Sequence, residues 1–173
     1  MIVRNAVIKE IDKVMKFYGE VTDALKGSRK GPGWVKGVYP SYELVKTSAE
    51  NGELYVAVLD EAIAGALILN HDSNEGFADV PWNVNAGPDQ AAILHAFAVS
   101  PEYRGKGIGK DMLRQMVKSS REKGEKAIRL DVLVENIPAD RLYEAAGFCR
   151  IAKKKLYYHP IGERDFWMYE YAL

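Results

Sequence analysis

The order of elements legible in the sequence predicts an α+β fold built on a mixed, mostly antiparallel sheet. Two apolar runs, Leu54 to Leu59 and Ala62 to Leu69, are parted only by Asp60-Glu61, which reads as a hairpin. A strand over Ala91 to Val99 runs through a glycine-rich turn into an amphipathic helix, and the strand and helix signals do not alternate as a regular βαβ series. Counted along the chain, the signals give six to seven strands and about four helices. A length of 173 residues suits one domain, 1–173, around one core.

The elements follow in order. Ile2 to Val7 reads as a first strand, and Glu10 to Leu25 carries Ile11, Val14, Met15, Tyr18 and Val21 at helical spacing. Gly27 to Pro40 is a Gly-, Pro- and Lys-rich connection holding Trp34 and Tyr39, read as a loop over a pocket. A second helix starts near Ser41, turns Leu44 and Val45 inward and ends before Asn51-Gly52. After the hairpin, His71 to Gln90 is a polar excursion around Phe77 and Trp82, a candidate acceptor-side loop. Lys110 to Lys123 places Met112, Leu113, Met116 and Val117 on one helical face, and Gly124 stops it. Ile128, Leu130, Val132 and Val134 alternate with Arg129, Asp131 and Leu133, which predicts a strand with one buried face. Asn136-Ile137-Pro138 opens a helix that Gly147 closes, and Lys153 to Tyr158 and Phe166 to Leu173 read as a last pair of strands.

Composition narrows the function. Hydrophobic residues make up 47% and charged residues 28% of the chain, a balance that suits a folded globule rather than a disordered chain. Lys plus Arg number 24 and so do Asp plus Glu, so no net field favours nucleic acid or anionic lipid as a partner. Met1 to Lys9 lacks the apolar core of a signal peptide, and no run approaches the roughly 18 apolar residues of a membrane span, so the expectation is a cytoplasmic protein. A single cysteine, Cys149, allows no internal disulfide and no thiolate metal cluster; it reads as a small core residue, and no metal is expected.

The chemistry concentrates in Ile93 to Lys110, ILHAFAVSPEYRGKGIGK. Gly105, Gly107 and Gly109 let the backbone approach an anion, the helix start offers N–H donors at the positive end of its dipole, and Arg104, Lys106 and Lys110 add charge. A nucleotide P-loop fails here, because Arg104 stands five residues before Gly109-Lys110 and Asp111 follows them. A dinucleotide fingerprint is weak, because the glycines run G-x-G-x-G. What remains, Arg104-x-x-Gly107-x-Gly109, resembles the motif of the GNAT superfamily of acyl-CoA-dependent N-acetyltransferases. NIPADRLYEAAGF, from Asn136 to Phe148, is similar to that family's second signature, and the resemblance is clear from Leu94 to Phe148.

The resemblance implies a GNAT fold whose fourth and fifth strands splay apart to admit acetyl-CoA as co-substrate. It places the pyrophosphate on the turn Arg104, Gly105, Lys106, Gly107, Ile108, Gly109 and Lys110, the pantetheine arm along Phe97, Ala98 and Val99, and Asn136 and Tyr143 beside the arm and the sulfur. Tyr143, a phenol with an ordinary pKa of about 10, is the candidate acid for the departing thiolate, with packing on a helix face as its other reading. His95 is the candidate base, with a satisfied strand histidine as its other reading. The acceptor would be the amine of a small molecule or peptide, and Trp34, Tyr39, Glu43, Asp72, Asp79 and Trp82 are open candidates for its walls. A homodimer is compatible with the sequence. A non-catalytic acyl-CoA-binding sensor and an interaction module stand as alternatives on the same fold.

Overall fold

In a computed structural model describing residues 1–28 and 31–173, the elements follow the order read from the sequence. They are β1 (Ile2–Asn5), α1 (Ile11–Ala24), α2 (Tyr42–Glu50), β2 (Leu54–Leu59), β3 (Ala62–Asn70), β4 (Ala91–Val99), α3 (Ile108–Glu122), β5 (Ala127–Leu133), α4 (Ile137–Ala145), β6 (Cys149–Tyr158) and β7 (Gly162–Ala172). The strands form one seven-stranded sheet in the order β1-β2-β3-β4-β5-β7-β6. Pairs β1–β2, β2–β3, β5–β7 and β6–β7 are antiparallel and β4–β5 is parallel, which is the mixed sheet expected. The parallel register takes in Ala91↔Ala127, Ala92↔Ile128 and Ile93↔Arg129, the first residues of strands nine and seven residues long, as a splayed pair requires. Arg29 and Lys30, inside the Gly27 to Pro40 connection, lie outside the described residues.

The chain divides into two compact units. The first comprises Met1–Ser28, Trp34–Leu69 and His95–Gln115. Its core follows the period of two along each strand: Leu54 and Val56, Ala66 and Ile68, and Ala96 and Ala98 join one apolar cluster with Ile11, Val14, Phe17 and Val21 of α1 and Val45 and Ala49 of α2. Ser41 caps α2, its hydroxyl accepting from the Leu44 amide at 3.1 Å. The β2–β3 turn holds Asp60 and Glu61 at φ 51° and 63°, the left-handed pair that a two-residue hairpin matched to strand twist demands. At Gly65 a Cβ would stand 2.6 Å from Met112 Sδ and 3.2 Å from the Ala98 carbonyl oxygen, so only glycine lets α3 pack this closely on β3.

The second unit includes Asn70–Leu94 and Met116–Leu173. Register pairs Arg129, Asp131 and Leu133 with Glu170, Met168 and Phe166, and this face is covered by Phe77 and Val80 of the 71–90 excursion. The other face, with Tyr169, packs against Tyr143 of α4. The expectation that β5 buries one face is corrected here, because Arg129 is only 8% exposed: a central strand beneath a long connection has no solvent face.

β6 begins at Cys149 rather than Lys153, and β7 at Gly162 rather than Phe166. A register shift between Arg150 and Ala152 breaks the alternation that would have signalled the start of β6. Polar residues Glu163 to Asp165 pair with Lys155 to Tyr157 near the end of the hairpin, where Leu156 alone is buried and too few apolar residues remain to give an alternating pattern. Cys149 is exposed, not a core residue, since β6 is the last strand of the sheet. The same strand carries Lys153 and Lys155 in ion pairs with Asp165 at 2.9 and 3.3 Å. No helix among the described residues is long and apolar enough to cross a membrane.

Candidate active site

In the first unit, β4 leads through Ser100 into a short 3-10 turn over Pro101–Tyr103 and then into α3. The turn is fixed at its base by the Ser100 amide on the Ala64 carbonyl at 2.9 Å and by Ser100 Oγ accepting from the Glu102 amide at 3.3 Å. Gly105 and Gly107 sit at φ 80° and 77°, and no atom lies within 4 Å of where their Cβ atoms would be. Glycine is needed there for the backbone angle, and the space above is open to an approaching group. Gly109 has a different role from its neighbours: it lies inside α3 and is buried.

The amides of Arg104 and Lys106 donate inside the turn, to Pro101 and Tyr103 carbonyls at 3.2 and 3.3 Å. The first-turn amides of α3, from Ile108 to Lys110, have no carbonyl a turn earlier within the helix to receive them, and they mark the positive end of its dipole. The Lys106 ammonium lies 5.0 Å over the Tyr103 ring, beside the same turn. An anion therefore meets oriented N–H groups and cationic side chains at one place. Gly107→Ala forces a left-handed alanine and is expected to cost about 1–2 kcal/mol of stability in urea unfolding, with a matching loss of affinity for a phosphate ligand. Unchanged values in both measurements would remove Gly107 from the cradle.

His95, Phe97 and Val99 are half-buried, while Ala96 and Ala98 between them enter the core. His95 thus shares strand parity with Phe97 and Val99. Ala96 breaks the strand conformation, with φ 48°.

In the second unit, Asn136 caps α4, its Oδ1 accepting from the Ala139 amide at 3.4 Å, and Pro138 occupies the first turn. Tyr143 is buried on α4, its ring 5.7 Å from Phe148 and 5.9 Å from Tyr169. The helix is tied to β6 and β7 by Asp140, which accepts from Arg150 Nη2 at 2.9 and 2.8 Å and from the Tyr169 hydroxyl at 2.5 Å. Burial, then the bond to Asp140, pushes the Tyr169 phenol well above its ordinary pKa, so it stays a donor.

Asp131 lies on the β5 face covered by the excursion. Its Oδ1 accepts from the Tyr158 hydroxyl at 3.2 Å, and burial pushes its carboxyl up to about 6.

The excursion from His71 to Gln90 is clamped to the same unit. Arg129 donates to Glu170 at 3.0 Å and to the Val84 carbonyl at 2.7 Å, and its guanidinium lies 4.6 Å over the Trp82 ring. Glu170 accepts from the Asn83 and Val84 amides at 2.9 and 3.0 Å. Trp82 is thereby a packing residue, its indole donating to the Phe77 carbonyl at 3.0 Å. Trp34 and Tyr39 stack edge to face at 5.8 Å, whereas Glu43, Asp72 and Asp79 are exposed.

The mixed seven-stranded sheet and the glycine turn at the start of α3 are matched by the sequence to a family. Residues 22–148 match the acetyltransferase (GNAT) family, and the chain belongs to that family. It is 32% identical over 124 residues to an N-alpha-acetyltransferase of Saccharolobus solfataricus, a match that spans 69% of this chain and 71% of that protein. Two further curated relatives are matched over 26% and 31% of their own length. Among solved structures, a GNAT family acetyltransferase from Streptococcus agalactiae superposes with a TM-score of 0.82 at 18% identity, over 99% of this chain and 95% of that one. The structure of yncA from Salmonella typhimurium with its cofactor acetyl-CoA gives a TM-score of 0.72 at 16% identity, over 100% and 94% of the two chains.

Proposed function

We propose that the protein, as one catalytic domain, transfers the acetyl group of acetyl-CoA to a primary amine of a small molecule or peptide by direct attack in a ternary complex. The observation that carries the proposal is the turn in which left-handed Gly105 and Gly107 open onto the start of α3. Membership of the GNAT family supports the reaction, and the acetyl-CoA complex of yncA supports the co-substrate. The name of the Saccharolobus solfataricus relative makes a peptide α-amine the first acceptor to test.

In this reading the turn Arg104–Lys110 holds the pyrophosphate, Phe97 to Val99 carry the pantetheine arm, and Asn136 contacts it. A C–N bond forms as the thioester C–S bond breaks. The amine proton passes to a base, and Tyr143 gives its phenolic proton to the leaving thiolate. His95 is the candidate base. Loss of the ascending limb of the pH–rate profile near neutrality in His95→Ala identifies it, and an unchanged profile excludes it.

Asp131 carries a stability signature. Its value in the folded protein, about 6, lies above the ordinary 3.8, so the folded state holds the proton more tightly. The stabilising contribution of that proton is therefore full below about pH 4 and lost as pH rises through about 6. Asp131→Asn is expected to flatten the unfolding free energy across that window; an unaltered slope would mean that another group titrates there.

The activity itself is tested by thiol release from acetyl-CoA in a screen of peptides, polyamines, amino acids, arylalkylamines and aminoglycosides. Steady release with one acceptor class supports the transferase. Tight binding of CoA with no release for any acceptor would favour an acyl-CoA sensor.

A further inference from the structure

Ala96 is the only non-glycine residue among the described residues that has a left-handed φ inside a strand, at 48°. For an L-residue this conformation is disfavoured relative to the right-handed form, because Cβ crowds the following carbonyl oxygen. The Ala96 side chain is buried in the core of the first unit. A carbonyl left there without a donor would be costly. The hydroxyl of Tyr18, from α1, donates to the Ala96 carbonyl at 2.8 Å in a bond that is buried at both ends. Tyr18 is 2% exposed, and burial holds its phenol well above its ordinary pKa, so the oxygen stays protonated and keeps donating.

The ring that carries this hydroxyl is itself fixed. Phe17 stands edge to face with it at 5.3 Å and Trp34 at 5.9 Å, so the O–H direction is set by packing on two sides. We infer that Tyr18 is a positioning residue that holds the left-handed turn of β4 at Ala96 and so sets the direction of the peptide groups from Phe97 to Val99. The inference rests on the proposal that those peptide groups carry the pantetheine arm. Tyr18 touches neither substrate nor reacting atoms; it acts through the backbone of one alanine.

The test uses the full chain, with acetyl-CoA affinity read by calorimetry and unfolding read separately by circular dichroism. At a temperature where every variant is folded, Tyr18→Phe is expected to weaken acetyl-CoA binding about tenfold, the effect of losing one well-aligned hydrogen bond. Ala96→Gly alone should leave affinity within about twofold, since glycine adopts the left-handed angle at no steric cost. In the double variant, Ala96→Gly with Tyr18→Phe, affinity should recover to within about threefold of wild type, because the strain that Tyr18 opposes has been removed. A merely structural role would lower the unfolding temperature without moving affinity, and it would give no recovery in the double variant. Either of those results overturns the inference. If the wild-type protein itself does not bind acetyl-CoA, the proposed function fails instead, and the stability coupling between Tyr18 and Ala96 still measures the bond.

Discussion

Tyr143→Phe is expected to lower the turnover number by about 10²- to 10⁴-fold while leaving acetyl-CoA affinity nearly unchanged, the range typical of a lost general acid. The structure makes the substitution a clean one. The ring stands edge to face with Phe148 and tilted against Tyr169, and Asp140 ties α4 to β6 and β7, so the substitution keeps the ring contacts and that tie. Arg150 reinforces that anchor, reaching Glu144 at 2.9 Å and lying 4.3 Å over the Trp167 ring. The measurement has to be made where chemistry limits the rate, by single turnover if product release is slow. Wild-type turnover in that regime would reduce Tyr143 to a packing residue and leave thiolate protonation to water.

The second large effect is on stability. Arg129→Met is expected to cost about 3–5 kcal/mol, because it strands a carboxylate in the interior, and breaking one half of a buried pair is far more damaging than replacing both halves. Glu170 is 2% exposed, and after the change only the Asn83 and Val84 amides would remain to hold its charge. Arg129→Met combined with Glu170→Met should recover most of the loss, which separates an uncompensated charge from lost packing against Trp82. The comparison is a chemical denaturation series on the wild-type, single and double variants. A single-variant loss below about 1 kcal/mol would mean that the excursion relaxes and lets water reach Glu170.

Much of this architecture was legible in the residues because local and global signals agree. Ser41 before an amphipathic run, Asn136 with Pro138, and Gly124 and Gly147 behind their helices mark boundaries that the structure shares to within a few residues. The Gly105 and Gly107 angles follow from the same logic: a backbone that needs left-handed residues selects glycine.

The misses have a common physical cause, which is that alternation reports exposure only where a strand has a free face. β5 lies between β4 and β7 beneath the excursion, so Arg129 is buried and Asp131 half-buried, each with a partner, in what reads as an amphipathic strand. The Tyr18 to Ala96 bond spans 78 positions of sequence, and no local pattern announces it. Cys149 errs in the opposite direction: a residue type usually found inside lies exposed because its strand ends the sheet.

That last strand bears on how the protein behaves at high concentration. An unpaired strand edge is a template for another chain, and sheets that grow this way lead to aggregates. On β6, a second copy adding antiparallel about Lys154 would bring Lys153, Lys154 and Lys155 against the same three residues of its partner, while Asp165 offsets only part of the charge on each side. Like charges directly opposite one another oppose pairing. The three lysines therefore weigh against edge-to-edge pairing through β6.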